Sequence, residues 1–143
     1  MLKNIPPILS PELLKILCEM GHGDRIVIGD GNFPAASNAK RLIRADGHGV
    51  PELLDAILTV IPLDKYTDAP AQLMALTPAD AEKLGEPPIW KEYADIIAKH
   101  EPWAKMGQIE RFAFYEEAKK AYAVIATGES AIYANIILQK GVI

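Results

Sequence analysis

A histidine and an aspartate flank a short apolar segment and are the residues of this chain best suited to acid–base chemistry. His22 lies between two glycines just past a predicted helix end, and Asp30 closes the apolar segment that begins at Arg25. Histidine ordinarily titrates near neutral pH, and a carboxylate can orient it or accept a proton. We therefore expect the two side chains to meet at one end of a strand and to move protons on a small ligand.

Each of these residues also has a structural explanation. His22 could interact with the last carbonyls of the preceding helix, and Asp30 could accept hydrogen bonds from nearby backbone amides. A metal site made of His22, Asp24 and Asp30 is disfavoured, because this spacing is not a specific ligand pattern and no second histidine is nearby. A dinucleotide loop at 29–31 is rejected, because Pro34 replaces the required glycine and no helix clearly follows.

A second group of polar residues lies towards the end of the sequence. Its members are Arg111, Tyr115, Tyr133 and Asn135. Arginine donates to sugar oxygens, a tyrosine hydroxyl can act as donor or acid, and an asparagine offers a donor and an acceptor to a polyol. The alternatives are a surface ion pair for Arg111 and core packing for the neighbouring Phe112 and Phe114. From the residues alone, the ion pair is the stronger explanation of Arg111.

Helix and strand patterns alternate along the chain. Helices are predicted at 11–20, 51–60, 89–99 and 115–121, with a short helical segment after Thr77. Strands are predicted at 25–30, 42–44, 72–76, 108–112, 123–127 and 135–139. This alternation predicts an α/β sheet flanked by helices. We find no repeat or linker, so residues 1–143 are predicted to form one domain.

Composition limits the partners and the location. The net charge is −4 and no run of Lys or Arg occurs, which gives no electrostatic footprint for nucleic acid or an anionic membrane. Cys18 is the only cysteine, so an internal disulfide is impossible, and we expect its thiol to be buried as a small apolar group. No apolar run is long enough to span a membrane. We therefore expect a cytoplasmic, soluble protein with a small neutral or polar ligand.

Several short motifs occur in a definite order along nearly the whole chain. They are Leu9–Leu14, Met20–Asp24, Asp30 with Asn32–Pro34, Ile43–Gly47, Arg111–Tyr115, Ala126–Glu129 and Tyr133–Leu138. In this order and at these spacings they resemble the fucose mutarotase and D-ribose pyranase family, the RbsD/FucU type. Tyr115 is typical of the fucose branch, because the ribose branch usually carries histidine at this position.

The resemblance implies a three-layer α/β/α fold and an isomerase that interconverts the α and β anomers of a free monosaccharide, most closely L-fucose. It makes His22 the acid–base residue, with Asp30 and Tyr115 as catalytic partners. The residues that it places around the sugar are Asp30, Asp64, Met74, Arg111, Tyr115, Tyr133 and Asn135. It also implies a ring-shaped homo-oligomer, commonly a decamer, with the pockets at subunit contacts. No cofactor or metal is expected, since one acid and one base suffice for ring opening and closure.

Three other functions stay open at this point. The same pocket could belong to a noncatalytic sugar-binding or transport-accessory protein, because binding and acid–base sites need many of the same polar groups. A metal-dependent isomerase acting on an open-chain sugar is a further class. Within the mutarotases, the substrate could be ribose or another sugar instead of L-fucose.

Overall fold

Six strands form one mixed sheet in the computed structural model, which describes residues 1–143. They are β1 Arg25–Gly29, β2 Leu42–Ala45, β3 Ala71–Met74, β4 Met106–Ile109, β5 Ala123–Thr127 and β6 Ile136–Gln139. Their order across the sheet is β2-β5-β1-β6-β3-β4. β6 is antiparallel to β1 and β3, and all other neighbouring strands are parallel. The carboxyl ends of β1, β3 and β4 therefore lie at the same edge of the sheet, together with the start of β6.

Helices cover both faces of this sheet. They are α1 Pro11–Glu19, α2 Ala35–Asn38, α3 Val50–Val60, α4 Pro78–Leu84, α5 Pro88–His100 and α6 Arg111–Lys120. Ile26 and Ile28 of β1 belong to a core that includes buried residues of α1, α3 and α5. Val27 belongs to a second core with residues of α2 and α6. Alternate residues of a strand point to opposite faces, so the two cores lie on opposite sides of the sheet. The predicted three-layer α/β/α arrangement is therefore confirmed.

Local signals in the sequence explain where several helices begin. The Ser10 hydroxyl accepts a hydrogen bond from the amide of Leu13 at the start of α1, and the Thr77 hydroxyl accepts one from Asp80 at the start of α4. Each cap is followed by a proline in the first turn, where no amide hydrogen is needed. The longest helix, α5, has 13 residues, and no helix is long and apolar enough to cross a membrane.

The region around residue 110 differs from the prediction of an extended segment at 108–112. β4 ends at Ile109 and α6 begins at Arg111, four residues before the predicted helix start. Glu110 causes the early start, because its carboxylate accepts hydrogen bonds from the amides of Phe112 and Ala113. The first two residues of the predicted extended segment are therefore the end of β4, and the last three are the cap and the first turn of α6.

Three smaller expectations are also wrong. Cys18 is exposed, because it lies on the outer side of α1 while the opposite side of that helix is buried. Phe112 is 68% exposed, whereas Phe114 is fully buried as predicted. A helix does follow Pro34, although the four residues of α2 make it very short.

Candidate functional site

A pocket of about 210 Å³ opens at the edge of the sheet where the carboxyl ends of three strands meet. Its lining consists of Asp30, Asn32, Phe33, Met74, Arg111, Tyr115, Ile132, Tyr133 and Asn135. Asp30 follows β1, Met74 ends β3, and Arg111 opens the helix after β4. Open α/β sheets commonly bind ligands beyond the carboxyl ends of their strands. The structure thus brings together six of the eight residues that the sequence places in or near a sugar site.

Asp30 forms the buried floor of the pocket. One carboxylate oxygen accepts a hydrogen bond from the amide of Asn32 at 3.0 Å, and the other accepts one from the amide of Ala134 at 3.4 Å. Burial raises the pKa of Asp30 above its ordinary value, and these amide donors oppose the rise. A carboxyl group in this setting can accept a hydrogen bond from a sugar hydroxyl or exchange a proton with it.

The backbone amide of Asp30 orients the side chain of Asn135. Its Oδ1 accepts a hydrogen bond from the amide of Asp30 at 2.8 Å, while its Nδ2 lies 4.0 Å from the sulfur of Met74. Because Oδ1 is already engaged, the Nδ2 group is the part of this buried side chain that can donate to a ligand. Met74 contributes an apolar wall beside it.

Arg111 and Tyr115 lie one helical turn apart at the start of α6. The Nε of Arg111 donates a hydrogen bond to the hydroxyl oxygen of Tyr115 at 3.1 Å, and this bond raises the pKa of the guanidinium. The expected surface ion pair of Arg111 is therefore replaced by a contact within the pocket. Since the phenol oxygen accepts this bond, its own hydrogen is free to point at a ligand. The Tyr115 ring is held against Phe33, with ring centroids 5.7 Å apart.

Tyr133 is fixed at both its side chain and its backbone. Its hydroxyl donates to Asp80 at 2.5 Å, and its carbonyl accepts a hydrogen bond from the indole of Trp90 at 2.8 Å. Its φ of 54° lies in the left-handed region, which is uncommon for a bulky residue. Asp80 was missed by the sequence analysis, because its place in the first turn of a predicted helix suggests only a role in helix capping.

His22 does not share this pocket, and the expectation that it meets Asp30 at one end of a strand is wrong. His22 precedes β1 and Asp30 follows it, so the five residues of the strand separate them by roughly 17 Å. The imidazole Nε2 instead lies 3.1 Å from Oδ1 of Asp64, and its ring packs beside that of Tyr66. The His22 side chain is 45% exposed, so a ligand in solvent can reach it.

Asp64 takes the orienting position that the sequence analysis assigns to Asp30. Its buried carboxylate accepts hydrogen bonds from the amide of Tyr66 and from Nε2 of Gln139, which with His22 hold the pKa of Asp64 below its ordinary value. An ionised carboxylate only accepts hydrogen bonds, so Nε2 of His22 must carry a hydrogen. In the neutral imidazole, Nδ1 is then the free acceptor. Asp64 therefore lies with His22 and outside the pocket that contains Met74.

The acidic residue two positions after His22 is hydrogen-bonded to the backbone. Asp24 accepts a hydrogen bond from the amide of Gly21 at 2.8 Å. No group of three or more histidine, cysteine, aspartate and glutamate side chains has the geometry to hold a metal ion.

Sequence comparison identifies relatives along the full chain. Residues 3–143 match the profile of the RbsD / FucU transport protein family. The chain is 52% identical to the fucose mutarotase of Homo sapiens, over 99% of this chain and 94% of that protein. It is 48% identical to the L-fucose mutarotase of Actinobacillus pleuropneumoniae, over 99% and 97% of the two chains.

Structural comparison finds further relatives. The crystal structure of FucU from Bifidobacterium longum is 59% identical with a TM-score of 0.93, and each chain is 99% covered. The fucose mutarotase of Streptococcus pneumoniae in complex with L-fucose is 50% identical with a TM-score of 0.92, again with 99% coverage of both chains. RbsD of Bacillus subtilis complexed with D-ribose is more distant, at 26% identity and a TM-score of 0.73 over 100% and 99% of the two chains.

Proposed function

Since the chain belongs to the RbsD / FucU transport protein family, we propose that it is an isomerase that interconverts the α and β anomers of free L-fucose. The observation that carries this proposal is the identity of about half of all residues, over the full chain, with proteins named as fucose mutarotases. The relative that binds L-fucose in its crystal structure supports the choice of sugar. The pocket described above supplies the polar groups that a monosaccharide requires.

Mutarotation needs one proton to leave and one to arrive. The anomeric hydroxyl loses its proton while the ring oxygen gains one, the ring opens to an aldehyde, and closure on the other face gives the second anomer. Electrons are redistributed within the sugar and none are gained or lost. The reaction therefore requires an acid, a base and side chains that hold the remaining hydroxyls.

We assign the acid role to Tyr115. Its hydroxyl hydrogen is free, and the adjacent guanidinium of Arg111 stabilises the negative charge that develops on the phenol oxygen as the proton leaves. Asp30 accepts a hydrogen bond from a sugar hydroxyl, and the Nδ2 group of Asn135 donates one. Tyr133 supplies a further contact to the sugar.

We assign the main proton shuttle to His22 and propose that it enters the pocket of a neighbouring subunit. Within one subunit the imidazole and the pocket lie at opposite ends of β1, and exposed apolar side chains flank both places. Tyr66 beside His22 is 82% exposed, and beside the pocket Phe112 is 68% and Ile132 is 48% exposed. Aromatic residues such as Tyr66 and Phe112 are enriched at protein interfaces.

The assembly that we propose is a ring-shaped homo-oligomer, a decamer as the family resemblance implies, with one complete site at each contact between subunits. In a ring, the same head-to-tail contact repeats until the rotation closes, so every pocket receives one imidazole. We also propose a cytoplasmic location. The free thiol of Cys18 supports it, because reducing compartments keep such thiols reduced.

Saturation-transfer NMR on L-fucose at equilibrium tests the proposed function. Irradiating the α anomeric proton should decrease the β signal more strongly when a catalytic amount of protein is present, and a parallel measurement on D-ribose should show a smaller effect. A larger acceleration over the uncatalysed rate for D-ribose than for L-fucose would assign the protein to the ribose branch. Binding of L-fucose without faster exchange would favour the noncatalytic sugar-binding function.

A further inference from the structure

We infer that Asp80 is a positioning residue that fixes the direction of the Tyr133 hydroxyl hydrogen and makes the phenol oxygen an acceptor towards the sugar. The inference rests on the proposed function, because Tyr133 is taken to contact the substrate. Asp80 lies outside the pocket lining and acts through Tyr133 alone.

The Tyr133 ring has little freedom to move. Its backbone is held in the left-handed region, and its carbonyl accepts the hydrogen bond from Trp90. At the far end of the ring, the hydroxyl oxygen lies 2.5 Å from Oδ2 of Asp80 in the first turn of α4. With the ring held in place, the remaining variable is the direction in which the hydroxyl hydrogen points.

The carboxylate of Asp80 determines the direction in which the Tyr133 hydroxyl hydrogen points. The Tyr133 hydroxyl and the Thr77 side chain hold the pKa of Asp80 below its ordinary value, so Asp80 is ionised at neutral pH. An ionised carboxylate has no hydrogen to donate, and a phenol has only one. The Tyr133 hydrogen must therefore lie on the Asp80 side, and a sugar hydroxyl that approaches Tyr133 must donate.

The Tyr133 oxygen retains the capacity to accept such a bond. The amide of Thr77 donates a long hydrogen bond of 3.4 Å to this oxygen, but a hydroxyl oxygen has two lone pairs, so one remains for a sugar hydroxyl. Tyr115 has the opposite polarity, because its oxygen accepts from Arg111 and its hydrogen is free. The pocket thus contains one tyrosine that donates and one that accepts, which constrains how a sugar can be oriented.

The alternative is that Asp80 only stabilises the first turn of α4, where an acidic residue is favourable. A double-mutant cycle separates the two explanations. The variants are Asp80→Asn, Tyr133→Phe and the double variant, with Glu82→Gln as control because Glu82 is an exposed carboxylate on the same helix. No side chain of α4 is buried, so the substitutions at Asp80 and Glu82 leave the core intact.

The readout is the Kd of L-fucose from NMR titration, measured beside the anomer exchange rate. We expect Asp80→Asn and Tyr133→Phe each to raise Kd by about two- to tenfold, the range for one lost hydrogen bond. In the Tyr133→Phe background, Asp80→Asn should have no further effect, while Glu82→Gln should match the wild type. An equal effect of Asp80→Asn in both backgrounds would overturn the inference.

The two measurements distinguish failure of the inference from failure of the proposed function. A wild-type protein that binds L-fucose without accelerating anomer exchange would overturn the mutarotase function, and the Kd values would still decide the role of Asp80. A wild-type protein that does not bind L-fucose would overturn both. An Asp80→Asn variant with the Kd of the Glu82→Gln variant would overturn the inference alone.

Discussion

Mixed assemblies of two inactive variants test whether the site is shared between subunits. His22→Ala removes the proton shuttle but leaves the pocket intact, and Asp30→Asn damages the pocket but keeps the imidazole. The two positions lie roughly 17 Å apart along β1, which is too far for one ligand to contact both within a subunit. If each pocket receives the imidazole of a neighbour, an assembly that contains both variants must hold some complete sites.

The expected yield follows from random assembly. With equal amounts of the two variants, half of the pockets are intact and half of the neighbouring subunits carry His22, so about one quarter of the sites are complete. Loss of a general acid or base alone lowers the rate about a hundredfold or more. Mixed assemblies should therefore show about a quarter of the wild-type activity per subunit, against roughly one hundredth for the His22→Ala protein alone.

The assay uses two affinity tags and two purification steps. Co-expressed His22→Ala and Asp30→Asn chains carry different tags, so sequential capture retains only assemblies that contain both. Anomer exchange in L-fucose is then measured by saturation transfer and divided by subunit concentration. Asp30→Asn mixed with Tyr115→Phe is the matched control, because every pocket in that mixture carries one defect and no gain is expected.

A mixture that is no more active than its components would contradict a site shared between subunits. That result would mean that His22 and Asp30 act within one subunit, or that His22 takes no part in the reaction. A gain in the control mixture would also count against it, because recovery would then be unrelated to the position of His22.

Other variants test single contacts. Tyr115→Phe should lower the maximal exchange rate about a hundredfold with little change in L-fucose binding, and an unchanged rate would leave this residue a packing role only. Asp64→Asn should destabilise the protein most near neutral pH, because the lowered pKa of Asp64 contributes stability above the ordinary value of 3.8 that is lost as pH falls through the folded-state pKa. Urea unfolding near neutral pH and at roughly pH 3 measures this difference, and a larger difference in acid would contradict it. Tyr93→Phe should lower the free energy of unfolding by about 1–3 kcal/mol, because the Tyr93 hydroxyl donates to the buried carbonyl of Ala134 at 2.7 Å. Unchanged stability in urea would show that this carbonyl finds another donor.

The strands and most helices could be predicted from the sequence because their signals are local. The stretch 123–127 is rich in small and β-branched residues and forms β5 with the predicted bounds. The caps at Ser10 and Thr77 mark the starts of α1 and α4 as expected. The predicted start of α6 was wrong, because Glu110 can be recognised as a cap only once the following residues are known to be helical.

Six residues of the pocket lining could also be named from the sequence. The separation of His22 from that pocket could not be predicted. The order of strands and helices brings Asp30 and Arg111 to one edge of the sheet. The carboxylate that orients His22 is Asp64, which lies 42 positions away in the sequence, and the partner of Tyr133 is Asp80, 53 positions away. Contacts at such separations depend on how the elements pack, and no local pattern indicates them.

The central claim is that the protein accelerates anomer exchange of L-fucose through His22. The most direct measurement is saturation transfer between the α and β anomeric protons with wild-type protein, with His22→Ala and with His48→Ala. His48 is the matched control, because its imidazole pairs with Glu52 on the surface and lies outside the pocket lining. We expect fast exchange with wild type and His48→Ala, and a loss of about a hundredfold or more with His22→Ala. Full exchange with His22→Ala would contradict it.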